Sequence, residues 1–250
     1  MNFNLLRVTP VRAAVWSLGV NVTLAVLIPV PAWAGAGGAI PTPCNGGACG
    51  TSPSANQAFV TSGTASYATS TAVNAAGKVV ANGVVSQGST KAILNWQDFN
   101  IDPGNSLHYR RVDDQGKVLA GARFSTLNRI WDANPTSIAG RISAEAGQVS
   151  DQIFINTNGI IFANGAQVNV GSLTATSLSL SNEQFMAGVY GGDPKNPIFT
   201  GTSGFVRVEA GAELTAARGG KILLLAPNVE NNGVISTPEG QTILAAGQKV

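Results

Sequence analysis

Short apolar runs separated by Asn-Gly turns constrain the fold of this chain more than any other feature. Between residues 148 and 180 the apolar runs alternate with turn residues, and two of the turns are Asn158-Gly159 and Asn164-Gly165. Asn and Gly tolerate positive φ angles, so each pair turns the chain at low cost. Runs this short leave no room for a helix of ordinary length. The pattern therefore predicts an all-β fold with many corners.

Similar apolar pulses continue over most of the chain, and two all-β architectures fit them. One is a sandwich of antiparallel hairpins. The other is a parallel β-helix, in which coils of about 20 residues stack about 4.8 Å apart. The pulses are shorter than sandwich strands and small residues separate them, which favours the β-helix. At that coil length we expect roughly nine coils.

Three local predictions accompany this architecture. Residues 106–125 are expected to form a hairpin around the turn residues 114–116. Residues 93–101 are expected to form a strand that bends near Asn95 and Trp96. Residues 182–186 are expected to form a helical turn, and either Ser181 or Asn182 is the type of residue that caps one.

Residues 1–34 have the features of a secretory signal peptide. Two arginines precede an apolar run over residues 13–28, and the small-x-small tripeptide at 32–34 places cleavage between Ala34 and Gly35. An uncleaved anchor is the alternative, but the run is short for a membrane span. The sequence therefore predicts a protein that crosses the inner membrane through the general secretion machinery.

The charge balance argues against nucleic acid as a partner. Removal of residues 1–34 takes away Arg7 and Arg12 and leaves 13 basic against 13 acidic residues. No stripe of Lys and Arg with interleaved aromatic residues remains, so binding to phosphates has no electrostatic support.

The mature chain divides by composition. Residues 35–62 are rich in Gly, Pro, Ser and Thr and predict a flexible leader. Apolar pulses begin at residue 63 and continue to residue 250, where the chain stops within a pulse. We therefore expect residues 63–250 to form one β-helix domain that continues into a longer protein.

Cys44 and Cys49 are the two cysteines, both within the leader. In an oxidising compartment their spacing favours a small disulfide loop, with free thiols as the alternative. A metal site is disfavoured because the one histidine, His108, is distant in sequence and zinc requires three or four ligands.

No catalytic constellation can be assembled from the sequence. The acids are scattered, and the one adjacent pair, Asp113-Asp114, falls in a turn, where aspartate is common. His108 has no nucleophile or partner acid at a useful spacing. We therefore predict no catalytic, cofactor-binding or metal-binding residues, no cofactor, and a protein that is not an enzyme.

A series of landmarks in a fixed order carries a family resemblance. They are AILNWQDFNI (92–101), FSTLNRI (124–130), NPTSIAGRISAEAGQV (134–149), IFINTNGIIFANGAQVNVGSLTATSLSLS (153–181), FMAG (185–188), GGKILLLAPNVENNGVIST (219–237) and TILAAGQKV (242–250). With these landmarks, residues 62–250 resemble the N-terminal secretion domain of filamentous haemagglutinin-type exoproteins, the exported partners in two-partner secretion.

The resemblance implies a right-handed parallel β-helix with an N-terminal cap and extra-helical β-hairpins. It also implies recognition in the periplasm by an outer-membrane β-barrel transporter with POTRA domains, followed by folding at the cell surface. The family's secretion motif falls on residues 156–160, namely Asn156, Thr157, Asn158, Gly159 and Ile160, and departs from the family at Thr157, where proline is usual. Asn134 and Pro135 form a secondary motif.

The resemblance favours a secretion domain of an exported adhesin that is secreted or held at the cell surface. A polysaccharide-acting β-helix enzyme and a self-contained surface-binding module are the alternatives. Contact with a host cell surface or its glycans is expected through downstream regions.

Overall fold

Residues 38–189 and 198–250 are described by the structure, a computed structural model. Their elements are β1 (Thr42–Pro43), β2 (Val60–Ser62), β3 (Ala65–Val73), β4 (Val79–Gln87), β5 (Lys91–Asp98), β6 (Ser106–Arg111), β7 (Arg123–Ile130), β8 (Thr136–Ile138), β9 (Arg141–Ala144), β10 (Val149–Ile155), β11 (Ile160–Phe162), β12 (Gln167–Val170), β13 (Ser172–Thr176), α1 (Asn182–Ala187), β14 (Phe205–Val208), β15 (Glu213–Ala216), β16 (Lys221–Ala226), β17 (Asn228–Asn231), β18 (Val234–Ser236) and β19 (Gln241–Ala246). The predicted signal peptide and its cleavage site between Ala34 and Gly35 lie outside these residues. No helix in the described ranges is long and apolar enough to cross a membrane.

Three parallel sheets wind around a common core. Sheet 1 contains β5, β7, β10, β13, β16 and β19, sheet 2 contains β8, β11, β14 and β17, and sheet 3 contains β4, β6, β9, β12, β15 and β18. The chain visits sheets 1, 2 and 3 in that order, coil after coil, and the strands within each of these series pair in parallel. Crossovers between parallel strands of one sheet are right-handed in nearly all proteins. The predicted parallel β-helix is confirmed.

The coils are fewer and less regular than predicted. Ile153 pairs with Thr174, 21 residues later, and Leu223 pairs with Ile243, 20 residues later. In contrast, 26 residues separate Leu127 from its partner Ile153. Sheet 1 therefore holds six coil strands, which span about 24 Å at the usual strand spacing. The expectation of roughly nine coils was wrong because insertions lengthen several coils.

The strands of sheet 1 from β5 to β16 bury apolar side chains on both faces. Leu94, Phe154 and Leu224 face the interior, whereas Ile93 and Leu127 belong to a second apolar cluster on the outer face. This double burial explains the mixed alternation of residues 93–101, which was interpreted as a bend. β5 instead runs unbroken through Asn95 and Trp96.

An insertion in the fourth coil covers the outer face of sheet 1. It contains α1, whose cap is a capping box between Ser181 and Gln184, so the predicted helical turn is confirmed. Phe185 of α1 packs in the outer apolar cluster. Lys91 Nζ on β5 donates to Met186 O at 2.6 Å, and Arg129 on β7 donates to Asn182 Oδ1 at 2.9 Å. The fourth coil thus bonds to the first and second.

The interior of the β-helix contains a buried polar network centred on Asn128. Its Oδ1 accepts from Trp96 Nε1 at 3.0 Å and from the Tyr109 hydroxyl at 2.9 Å, and its Nδ2 donates to Gln152 Oε1 at 3.0 Å. Gln152 in turn donates to Thr126 Oγ1 at 3.1 Å. All five side chains are buried, so the network links three coils through groups that have no access to water.

The N-terminal segment forms a cap instead of a flexible leader. β1 and β2 pair antiparallel with β5, and the Cys44–Cys49 disulfide lies between them. Phe59 also contacts the Trp96 ring, with ring centroids 5.0 Å apart. The prediction of a flexible leader at 35–62 is therefore wrong for residues 38–62, where backbone pairing and one aromatic anchor order a segment of small residues. The predicted cap is present.

An extra-helical hairpin is also present, but not at residues 106–125. β3 pairs antiparallel with β4 and forms the hairpin at the edge of sheet 3. The predicted hairpin is wrong because β6 pairs with β4 and β9 in sheet 3, whereas β7 pairs with β5 and β10 in sheet 1. A tight turn with a single bridge between Val112 and Val118 connects them.

Glycines stack at the corner between sheets 3 and 1. A Cβ on Gly220 would lie 2.0 Å from Gly171 O, and a Cβ on Gly240 would lie 1.8 Å from Gly220 O. These are backbone contacts between successive coils, which no side-chain movement relieves. The stacking distance of the coils therefore requires glycine here.

Candidate functional site

The predicted secretion motif forms the corner between β10 of sheet 1 and β11 of sheet 2. Asn156 Oδ1 accepts from the Asn158 N–H at 2.9 Å, and Asn156 O accepts from the Gly159 N–H at 3.0 Å. These bonds form an Asx-type turn, the local structure that asparagine favours. Gly159 has a φ of 130°, and Ile160 begins β11. The corner predicted from Asn158-Gly159 is therefore present.

This corner also clamps the coil beneath it. Asn156 Nδ2 donates to Asn134 O and to Thr136 Oγ1, both at 3.0 Å. Asn158 Nδ2 donates to Asp132 O at 2.8 Å. The two landmarks that the sequence analysis singled out, residues 156–160 and Asn134-Pro135, thus meet across a coil boundary.

A turn with the same side-chain bond occurs one coil earlier in the chain. Asp132 Oδ1 accepts from the Asn134 N–H at 2.9 Å, as Asn156 Oδ1 does from Asn158. Because Ile160 pairs with Thr136, Pro135 occupies the position that corresponds to Gly159. Sequence reasoning missed Asp132. A sign of it was present in the sequence: in both segments a residue with a side-chain oxygen, Asp132 or Asn156, stands two positions before an asparagine.

The motif exposes one side chain in the folded protein. Asn156, Gly159 and Ile160 are buried, Asn158 is half-buried and Thr157 is exposed. Gly159 also packs closely, since a Cβ there would lie 2.9 Å from the Phe205 ring. The exposed position, Thr157, is the one that departs from the family motif.

The ionisable side chains that the sequence offered as catalytic candidates contact neighbouring groups of the fold. His108 Nε2 lies 3.2 Å from Glu145 Oε2, and the Asp113 carboxylate accepts from two backbone N–H groups of its own turn. Burial raises the pKa of Asp98 and that of Asp151. Within residues 38–189 and 198–250, no three His, Cys, Asp or Glu side chains come together in a way that holds a metal ion.

Replacement of Asn156 by alanine is expected to lower the free energy of unfolding by about 2 kcal/mol, because the change removes a turn acceptor and leaves the buried Thr136 hydroxyl and the Asn134 carbonyl without this donor. Urea unfolding followed by circular dichroism measures this. Thr157→Ala is the neighbouring control and is expected to change stability by less than about 0.5 kcal/mol because Thr157 is exposed. Equal stability of both variants would show that the clamp contributes nothing.

Three comparisons with known proteins bear on this arrangement. The family model of the TPS secretion domain matches residues 56–250. The crystal structure of the HMW1 secretion domain from Haemophilus influenzae superposes with a TM-score of 0.56 and 25% identity, over 76% of this chain and 44% of that one. A heme/hemopexin-binding protein of Haemophilus influenzae is 29% identical over 96 residues, which are 38% of this chain and 9% of that protein.

The chain therefore spans less than half of the solved relative and about a tenth of the curated one. The family match, in contrast, covers the end of the cap, including β2, and every coil of the β-helix. The family is that of secretion domains of exported proteins. On this match, and on the capped β-helix that accompanies it, the chain belongs to the family of TPS (two-partner secretion) domains.

Proposed function

We propose that the cap and the coils are the export address of a larger exoprotein, recognised in the periplasm by a cognate outer-membrane transporter with POTRA domains. Family membership supports an exported protein, and a dedicated transporter is the partner that two-partner secretion requires. The general secretion machinery would deliver the chain to the periplasm. Residues 156–160 would be one of the segments that the transporter reads.

The burial of the motif supports recognition of the chain before it folds. A partner has access to Asn156, Gly159 and Ile160 only before the chain folds, since all three are buried in the folded protein. The transporter would therefore bind the chain before it folds. Short β segments of an unfolded chain suit recognition by strand addition.

After the chain has passed through the outer membrane, the motif residues would serve to hold successive coils together. Once Asn156 bonds to Asn134 and Thr136, the motif is sequestered and the chain cannot rebind the transporter in the same way. The cap provides the start of this process, because β1 and β2 cover the edge of β5 and exclude competing strands. We propose that the capped first coil nucleates the β-helix at the cell surface.

The proposal predicts that the purified periplasmic domains of the transporter bind the full chain much more tightly when it is kept unfolded in mild urea than when it is folded. We expect at least a tenfold difference in Kd, corresponding to about 1.4 kcal/mol. Fluorescence anisotropy on a labelled chain measures the Kd of the unfolded chain in urea and that of the folded chain without urea.

Substitutions are compared in the unfolded chain, where differences in folding stability do not contribute. Asn156→Ala and Asn158→Ala are expected to weaken binding, whereas Asn169→Ala, an exposed asparagine outside the motif, serves as the matched control. If the folded chain binds as tightly as the unfolded one, early recognition is wrong. If the motif variants bind like the control, the corner is structural only.

The two alternative functions are separable by direct measurement. An activity screen on acidic polysaccharides addresses an enzyme, and a cell-binding assay addresses a self-contained surface module. Contacts with a host surface through downstream regions belong to the longer protein and stay a prediction.

A further inference from the structure

A polar trough crosses the outer face of sheet 3. It has a volume of about 530 Å³ and crosses β4, β6, β9 and β12. Its polar lining includes Asn82, Ser106, His108, Arg141, Ser143 and Gln167. A second depression of about 300 Å³ shares Arg141, Ser143 and Gln167 with the first and continues to Glu213 on β15. The two form one continuous surface feature.

Glycine corners make the surface concave. Gly104 and Gly165 line the trough at corners between sheets 2 and 3 that are two coils apart, with φ angles of 88° and 87° that disfavour other residues. Gly140 lies at the corner between them, and a Cβ there would lie 2.5 Å from Asn105 O. Backbone geometry therefore keeps this side of the trough free of large side chains.

The side chains of the trough bring several N–H donors to this surface. Arg141 donates to Gln167 Oε1 at 3.0 Å, which turns the oxygen of that amide toward the guanidinium. Ser106 donates to Asn82 Oδ1 at 2.7 Å, which likewise turns the Asn82 amide oxygen toward that hydroxyl. A guanidinium has five N–H donors, so most of those on Arg141 are also available.

The charge of the trough matches these donors. Arg141 is the charged side chain that lines the larger depression, and no carboxylate is among its lining residues. Glu145 lies beside it but is 3.2 Å from His108 Nε2, and Glu213 lies at the far end of the second depression. The region around Arg141 therefore suits an anionic group, and guanidinium groups bind planar oxyanions well.

The shape favours an extended ligand. Asn82, Ser106, Arg141 and Gln167 occupy aligned positions on four successive strands. Four strands at the usual spacing cover about 14 Å, and 530 Å³ falls in the usual range of ligand sites. A saccharide chain laid across the strands would meet a polar side chain at each strand. A small free anion would fill only part of this row.

We propose that this trough binds an acidic oligosaccharide, with a carboxylate or sulfate group on Arg141 and the ring hydroxyls on the neighbouring amides. The site is separate from the corner formed by residues 156–160. Its occupation is independent of the recognition event proposed for that corner.

The test uses the full folded chain in isothermal titration with four probes. They are a hexasaccharide of galacturonate, a chondroitin sulfate hexasaccharide, the neutral hexasaccharide cellohexaose and inorganic sulfate. We expect at least one acidic oligosaccharide to bind at least tenfold more tightly than cellohexaose and inorganic sulfate. The acid that binds identifies the recognised group.

Three substitutions localise the binding. Arg141→Gln is expected to weaken it at least tenfold, and Glu213→Gln to strengthen it, because a carboxylate near the ligand is removed. Arg207→Gln is the matched control, since it removes the same charge from an exposed arginine on sheet 2. Thermal unfolding verifies that each variant keeps its fold.

The remaining outcomes overturn the proposal. Binding of neither acidic probe excludes the ligand class, and equal binding of cellohexaose excludes recognition of an acid. If inorganic sulfate binds as tightly as the oligosaccharides, the trough recognises a single anion and not a saccharide chain. If Arg141→Gln and Arg207→Gln weaken binding equally, the effect comes from the net charge of the protein and not from a defined site.

Discussion

Replacement of Asn128 by leucine is expected to lower the free energy of unfolding by about 5 kcal/mol, because three buried polar groups lose their partner. Leucine has as many side-chain heavy atoms as asparagine but forms no hydrogen bonds. The Trp96 indole N–H, the Tyr109 hydroxyl and the Gln152 amide oxygen therefore lose their bonds to Asn128, and all three side chains are buried. Each unsatisfied group costs about 1–3 kcal/mol.

Urea unfolding followed by far-ultraviolet circular dichroism measures this loss. Asn169→Leu provides the control, since Asn169 lies on β12 with an exposed side chain and the chemical change is the same. We expect the control to change stability by less than about 0.5 kcal/mol. A loss below about 1 kcal/mol in the Asn128 variant would contradict the prediction, because it would mean that the network contributes little beyond the space it fills.

Replacement of Gly220 by alanine is expected to lower the free energy of unfolding by about 4 kcal/mol or to prevent the fifth coil from packing. The added methyl group would lie 2.0 Å from Gly171 O and 2.9 Å from Ala217 O. Both are backbone atoms, and Gly171 is held by its N–H bond to Ser150 O at 2.7 Å. The coils must separate locally to admit the methyl group, which breaks the pairing of β13 with β16.

Gly47→Ala is the matched control for this substitution. Gly47 lies in the cap, and the nearest atom to a Cβ there is Asn45 Oδ1 at 3.7 Å, an ordinary contact. Thermal unfolding of both variants gives the comparison, with the control close to the unsubstituted protein. Equal melting temperatures in the two variants would contradict the claim that coil spacing requires glycine at this corner.

The residue pattern predicted the architecture where local signals determine it. Asn158-Gly159 predicted a corner because both residues favour turn geometry, and the corner is present. The short apolar runs predicted parallel coils, and the coil from Ile153 to Thr174 has the expected length. Insertions leave no periodic signal, so the number of coils could not be obtained from the average repeat.

The errors arose where structure depends on distant partners. The segment at 38–62 is ordered by backbone pairing to β5, and its small side chains give no indication of that pairing. Phe59 was the main residue in the sequence that indicated an ordered segment. The turn at residues 113–116 is real, but a strand pattern does not tell which sheet the next strand joins. The clamp of Asn156 on Asn134 joins residues 22 positions apart and becomes visible only once the coil register is known.

The bond between Lys91 and Met186 has a consequence for the order of folding. It joins the first coil to an insertion 95 residues later, and that insertion covers the apolar outer face that Ile93, Leu127 and Ile153 share. If the chain folded from its N-terminus, three coils would form while this apolar surface was still exposed to solvent. Such an intermediate would aggregate more readily than the complete domain until α1 packed against it.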